Sequence, residues 1–505
     1  MKNRVLAQAL AMAAVSAMGA AGMVGVTHAS AAIVTGTTAK AAGAGAKPYD
    51  FNGDGYTDLA LGDPYGKVGT KTSAGFVSIV YGSKAGANTG KHQVFSQDSS
   101  GVPGAAEATD HFGAALTSFD YDRDGYADLL VGSPDEDTTS GSNAGSETIL
   151  WGTPSGLTGT SADTIGEPAN AGAGHRFGAA LTAGDFDGDG ITDWVDTSPG
   201  DAYFWAFTSA GTNLRAAAAR TFQPKATGHF VRGAKRQLKA DAVTKLDALI
   251  PAVGDVNGDQ RADLILGWHN AAADPKLQSG FDVWTDVSGA GPANEVSSKV
   301  DGLAVGDFDG DGFADIAAGA ADDSGRAHSH VAVFKGGTDV ALDGTYMINQ
   351  ETDAVPGTTA LGDKFGAALS AGDVNRDGKA DLAIGVPGRT VSSAAKAGEA
   401  ILMYGSADGL SGTGSQAISQ STSGVPGTAE ANDACGTMVS LLDITGDGYA
   451  DLVAGASGEN SNDGTVSVLK GGAAGVTGTG STSFGAGTLS ITGRNAQIGR
   501  VIGQI

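Results

Sequence analysis

One nine-residue pattern, with Asp at its first, fifth and ninth positions, recurs seven times along the chain and constrains the fold more than any other feature. The copies are DFNGDGYTD from Asp50, DYDRDGYAD from Asp120, DFDGDGITD from Asp185, DVNGDQRAD from Asp255, DFDGDGFAD from Asp307, DVNRDGKAD from Asp373 and DITGDGYAD from Asp443, with starts 52 to 70 residues apart. A period of that size marks a unit that buries its apolar face only against its neighbours, so the architecture must be repetitive.

The chemistry of the pattern is that of hard oxygen ligands. Positions one, three, five and nine are Asp50, Asn52, Asp54 and Asp58 in the first copy, and Asp120, Asp122, Asp124 and Asp128 in the second. The third has Asp185, Asp187, Asp189 and Asp193, and the fourth has Asp255, Asn257, Asp259 and Asp263. The fifth has Asp307, Asp309, Asp311 and Asp315, the sixth Asp373, Asn375, Asp377 and Asp381, and the seventh Asp443, Thr445, Asp447 and Asp451. Ca2+ takes six to eight such oxygens, and alternating side chains at one, three and five converge on an ion while a glycine at six permits the sharp turn. Turn formation alone needs one or two of these residues, not four at fixed offsets. An EF-hand would put Glu at position twelve, where this chain has Leu61, Val131, Asp196, Leu266, Ala318, Ile384 and Ala454. The expectation is up to seven calcium sites. The weakest are expected at Asp255, where Gln260 replaces glycine, and at Asp443, where Thr445 removes a carboxylate. Copies two, three and five, with four Asp each, are expected to bind most tightly.

Each loop is followed by a short apolar run such as DLALGDP, DLLVGSP or DLAIGVP, which reads as a buried strand closed by a turn. Segments such as HFGAALTSF and KFGAALSAG read as an inner strand before the loop; GFVSIVYGS and GEAILMYGS give a third strand, HQVFSQ and QAISQ a weaker fourth. Four strands per period are one propeller blade. The first loop lacks an inner strand before it, whereas Ile498 to Ile505 matches that strand and has no loop after it. The fold expected is therefore all-β: a seven-bladed β-propeller of four-stranded blades over 47–505, closed by pairing of the C-terminal strand with the first blade.

The pairs Phe112-Gly113, Phe177-Gly178 and Phe365-Gly366, the Gly-x-Pro runs at Gly62-Pro64, Gly132-Pro134 and Gly385-Pro387, and the Asp loops between them resemble the FG-GAP repeats of the integrin α-chain propeller and of related secreted bacterial proteins. The resemblance implies seven blades with calcium between the first two strands of each, and an integrin-like binding role. Copies four and five depart from it by lacking the Phe-Gly pair, and copy seven by Cys435 in the Phe place.

Composition agrees with frequent turns and bound cations: 81 glycines, 56 acidic against 31 basic residues, and a formal charge of -25. That sign argues against nucleic acid or an anionic membrane as partner. Lys2 and Arg4 followed by an alanine-rich apolar stretch read as a signal peptide over 1–29, then an Ala/Gly-rich linker over 30–46, so the protein is expected to be secreted, with no membrane span after cleavage. Its single cysteine, Cys435, excludes an intrachain disulfide and reads as a buried hydrophobe.

The function expected is a monomeric, calcium-bound binding or adhesion module for a protein or glycan, with recognition carried by loops on a rigid scaffold. The alternative is a secreted polysaccharide lyase or hydrolase on the same scaffold, since fold does not fix function. No catalytic motif supports it: G-x-S-x-G, H-E-x-x-H and the P-loop are absent from the sequence. A basic run from Arg215 to Lys245 reads mainly as a solvated edge, Trp194, Trp205, Trp268 and Trp284 as core of blades three and four, and His328 with His330 as a weak metal signal.

Overall fold

Blade 2 shows the unit: strands Ala115–Phe119, Asp128–Ser133, Ser146–Trp151 and Thr158–Ile165, antiparallel and hydrogen-bonded in chain order. The computed structural model describes residues 45–165, 172–199, 201–206, 225–231, 246–270, 279–287, 292–296, 298–321, 329–342, 344–491 and 495–504. Among them are seven four-stranded sheets, one per Asp loop; in six the loop joins the first strand to the second, and in blade 1 it leads into the second strand while the first comes from the C-terminal segment. A single turn at Glu459–Asn462 is the only helical element among the described residues. The segments read as signal peptide and linker lie almost wholly outside them.

The second strands, such as Leu59–Asp63, Asp128–Ser133 and Asp381–Val386, are buried at every residue. Being covered on both faces, they read as unbroken apolar runs and not as alternating ones. Clusters of core residues span neighbouring blades, as where Phe112 of blade 2 packs with Val77 and Ile79 of blade 1.

Close approach between blades explains the Phe-Gly pairs. The backbone at the Phe place bridges to a glycine before the third strand of the preceding blade, Gly75 to Phe112 and Gly145 to Phe177, with Cys435 meeting Gly398 and Ile498 meeting Gly464 in the same way; Phe365 instead donates its N–H to Ser329 Oγ at 3.1 Å. The next glycine brings its carbonyl so near the neighbouring second strand that a Cβ on Gly62 would stand 2.0 Å from Gly113 O, and one on Gly132 2.1 Å from Gly178 O. Only glycine fits there. Blade 3 carries Thr197 at that place, next to blade 4, which lacks the pair.

Closure is as expected. Val501–Ile502 pairs antiparallel with Leu59–Asp63, Leu61 opposite Ile502 and Gly62 opposite Val501. Gly503 N donates to Ala60 O at 2.9 Å, Tyr49 Oη donates to Gln504 O at 3.1 Å, and the Gln504 amide donates to Val439 O of blade 7 at 2.9 Å. Ile498-Gly499 is thus the Phe-Gly pair of blade 1.

Candidate metal centres

The seven loops share one set of backbone bonds. The N–H of position six donates to the carboxylate of position one at 2.8–3.1 Å in every copy, from Gly55 to Asp50 through Gly448 to Asp443. The N–H of position seven donates to the Asp at five at 2.9–3.1 Å. In six copies the N–H of position five donates to the Asp or Asn at three at 2.8–3.1 Å. Each side chain is curled over its own backbone, so one, three and five face one concavity while position two turns into the core, as Phe51, Phe186, Phe308 and Ile444 do.

Position nine has a second task. Its Oδ2 accepts the N–H of position two at 2.8–3.2 Å in all seven loops. Its Oδ1 accepts an N–H just beyond the third strand in blades 1, 2, 5, 6 and 7, for example Gly82 to Asp58 at 2.9 Å. The residue therefore ties loop to sheet, and in the seventh loop Asp451 Oδ2 accepts the Thr445 N–H as well, at 3.0 Å. In blade 4 Asp263 Oδ1 is buried without a donor.

Loops are also tied to each other. The carbonyl of position one accepts the N–H of position eight in the next blade: Ala127 to Asp50, Ala262 to Asp185, Ala314 to Asp255, Ala380 to Asp307 and Ala450 to Asp373, at 2.8–3.1 Å. Position seven lies over position four of the preceding loop, where a Cβ on Gly53 would meet Tyr126 at 2.7 Å and one on Gly446 would meet Tyr56 at 3.0 Å. In the sixth loop position four is Arg376, stacked 5.2 Å from the ring of Tyr449. The Gly446–Tyr56 contact runs from blade 7 to blade 1, so the last loop meets the first.

The donor set fits a hard divalent cation. In the second and third loops, carboxylates at positions one, three and nine lie within 4.8 Å of one another, and in the fifth those at one, three and five do. Desolvation, then repulsion from neighbouring carboxylates, works against ionisation: it pushes Asp263, Asp315, Asp381 and Asp451 up to about 7 and Asp58 to about 8, while backbone N–H groups pull the other way. A bound cation is the group that relieves both pressures. Thr445 Oγ1, at position three of the seventh loop, is buried without a partner. In the fifth loop a protein cation already stands beside the set, Lys335 Nζ lying 2.7 Å from Asp309 Oδ2.

Position six adopts the left-handed backbone that the pattern predicts, φ being 85–94° at its glycines and 68° at Gln260. Sequence reasoning missed position four, which is also left-handed in every loop, at Gly53, Arg123, Gly188, Gly258, Gly310, Arg376 and Gly446. The signal was present, since that position is glycine in five of seven copies.

Trp194, Trp205, Trp268 and Trp284 are all buried core residues, and so is Cys435, whose thiol desolvation pushes up to about 12. His330 opens the strand His330–Phe334. His328 and the side chains of the basic run from Arg215 to Lys245 lie outside the described residues.

A closed ring of seven blades, each with an oxygen-lined loop at the same corner, defines a β-propeller with clustered carboxylates along one rim. The chain carries five matched FG-GAP repeats, at residues 42–80, 112–148, 300–330, 365–403 and 436–469. Over 150 residues, 30% of this chain, it is 31% identical to phosphatidylinositol-glycan-specific phospholipase D of Rattus norvegicus and 29% identical to that of Mus musculus. The match spans 17% of either relative. Similar solved structures include an Agrocybe aegerita lectin described as recognising non-reducing terminal N-acetylglucosamine, 14% identical, covering 74% of this chain and 80% of that one with a TM-score of 0.36. An exotype rhamnogalacturonan lyase is 13% identical, with 85% of this chain and 72% of that one covered and a TM-score of 0.37. Scores this low carry no argument about function.

Proposed function

We propose that this chain is a secreted, non-catalytic binding module that takes up calcium in its seven Asp loops and presents a protein or glycan partner with the loops of the opposite face. The observation that carries the reading is the rim itself: five of the seven junctions between loops carry a backbone hydrogen bond, so an ion in one loop stiffens the attachment of the next blade there. Asp50, Asn52, Asp54 and Asp58 and their counterparts would hold the ion, with position nine also setting the loop against the sheet. Calcium supplies charge neutralisation and no chemistry, and the chain's own residues keep the blades in register.

The opposite face then offers rigidly mounted side chains. Tyr65, 38% exposed, stands edge-on to His111 with ring centroids 5.2 Å apart, and the Arg500 guanidinium lies 5.0 Å over the Tyr65 ring. His111 Nδ1 is 2.8 Å from Asp135 Oδ2, which Arg176 also reaches at 2.8 Å. Aromatic and guanidinium groups together suit the planar faces and polar edges of a sugar or a peptide. Nothing of the relatives' named activity is carried over, because the likeness stops at a small part of them. Among the described residues no helix is long and apolar enough to cross a membrane.

The test is capture of cell-surface proteins and glycans with and without calcium, beside assays on esters and polysaccharides. Calcium-dependent capture lost in the Tyr65→Ala, Arg176→Ala double variant is expected. Turnover abolished by one carboxylate or histidine change outside the Asp loops would overturn the reading.

A further inference from the structure

The second strand of blade 1, Leu59–Asp63, ends on an acid that no other blade has at that place. The equivalent residues, five beyond the last Asp of each loop, are Ser133, Ser198, Trp268, Ala320, Val386 and Ala456. Asp63 is 0% exposed, stands opposite Phe76 in the strand pair, and is met by no cation among the described residues. Ser78 Oγ donates to its Oδ2 at 3.0 Å, and Oδ1 is buried with no partner. A carboxylate stripped of water and given one hydroxyl donor takes up a proton, and desolvation accordingly raises Asp63 well above the ordinary range.

The residue after this acid is Pro64. An amide to proline has no hydrogen on its nitrogen, and on cleavage that nitrogen leaves as a basic secondary amine, so a bond from Asp to Pro breaks more readily than other peptide bonds. The carbonyl of the bond is engaged as well. Gly66 N donates to Asp63 O at 2.9 Å, closing a turn over Pro64 and Tyr65, and this N–H is placed to stabilise negative charge developing on that oxygen. The same turn recurs over Pro134 and Pro387, with Glu136 N on Ser133 O at 3.3 Å and Arg389 N on Val386 O at 3.2 Å. Neither of those prolines follows a carboxyl group. Blade 1 alone sets an acid, a proline and a polarised carbonyl side by side.

We propose that the Asp63-Pro64 peptide bond is a site of self-cleavage, with the Asp63 carboxyl as the nucleophile. Oδ1, which no hydrogen bond restrains, adds to the carbonyl carbon of its own residue and closes a succinic anhydride ring, while Ser78 holds Oδ2. The carboxyl proton passes to the Pro64 nitrogen and the C–N bond breaks. Water then opens the anhydride, leaving Asp63 as a C-terminus with two carboxyl groups and Pro64 as a new N-terminus. Water is the only co-reactant, and Tyr65 at the exposed side of the turn marks its way in. The event happens once per chain and is separate from the binding role. The cut strand stays in the ring, because it is paired with Phe76–Tyr81 on one side and Val501–Ile502 on the other.

The test incubates the full chain, purified with protease inhibitors, at mildly acidic pH and follows it by intact mass and by sequencing of any new N-terminus. The expected result is a single cut whose new chain begins Pro64-Tyr65-Gly66, at a rate independent of protein concentration, with Ser133-Pro134 and Val386-Pro387 intact. Asp63→Ser copies the residue of blade 2, and Pro64→Ala keeps the acid should that change disturb folding. Each is expected to lose the cut. No cleavage of the wild type, or cleavage that persists in either variant, would overturn the proposal. Equal rates for the folded chain and for the chain in urea would overturn it too, since the bond would then owe its lability to sequence and not to the fold.

Discussion

Glu147 in the third strand of blade 2 faces Asp196 in the second strand of blade 3, and both are completely buried. Each stands where the other blades are apolar. Glu147, opposite Gly132, corresponds to Val77, Val331, Ala400 and Val466; Asp196 corresponds to Leu61, Val131, Ile384 and Ala454. Relief comes from indoles: Trp205 Nε1 bonds Asp196, and Trp194, stacked on Trp205 at 5.6 Å, stands beside Glu147 and favours its charged form. Desolvation first, then the neighbouring carboxyl, raises Glu147 well above the ordinary range, and desolvation raises Asp196.

The sign of the pH effect follows. A folded-state pKa above the unfolded value means that the native protein holds protons the unfolded chain has lost, so stability is full below about pH 4 and falls as pH rises toward the raised values. Each such group contributes a slope of at most about 1.4 kcal/mol per pH unit. Glu147→Gln and Asp196→Asn should therefore flatten the stability profile between pH 5 and 8, as measured by urea unfolding with calcium saturating. Parallel profiles for wild type and variants would rule out this pair as the source.

Calcium removal should lower the melting temperature, because a ligand bound only to the folded state stabilises it by about 2.7 kcal/mol per site at a hundredfold excess over Kd. With five of the seven loop junctions bonded neighbour to neighbour, the loss should be cooperative among the blades so joined. Calorimetry in excess EDTA, with calcium added back, measures it. An unchanged transition would remove the rim from the account of stability.

Lys335 sets the fifth loop apart. Its ammonium is held by Asp309, which raises its own affinity for the proton, and Asp311 and Asp315 act in the same direction. An entering dication has to displace or repel that charge. Lys335→Ala should tighten calcium binding at this loop several-fold, and Asp309→Ala should weaken it more than Thr445→Ala weakens the seventh. Calorimetric titration of the variants checks both, and a weaker site in Lys335→Ala would show that the ammonium orders the loop instead.

Much of this was legible because the repeat states the same physics seven times. Ring closure could be read from the unpaired inner strand at Ile498 and the missing one before Asp50, since an open edge is a cost that one segment can remove. Ligand positions could be read from Asp and Asn spacing. Lys335 could not, because it enters the loop from the end of the third strand, 26 residues beyond Asp309, and no spacing rule links them. The Glu147–Asp196 pair was hidden for the same reason: each acid looks like a surface residue until two strands from different blades are brought together. Thr197 was readable only once Gly62 and Gly132 had shown what that place excludes.

The terminal strand gives the most direct check on the ring. Ile498 and Ile502 are 0% and 3% exposed, and Gln504 bonds to Tyr49 in blade 1 and to Val439 in blade 7. Ile502→Ala removes apolar volume at the joint between first and last blade, a change that costs about 2–5 kcal/mol in a well-packed core. Deleting 498–504 also strips the partner from Leu59–Asp63 and leaves a bare edge. Denaturant unfolding should show the substitution as a shift of that size. The deletion should give a chain that self-associates in sedimentation and melts at markedly lower temperature in calcium. A deletion variant as stable and as monomeric as the full chain would mean that blade 1 holds without its first, inner strand, and that closure does not govern the stability of this propeller.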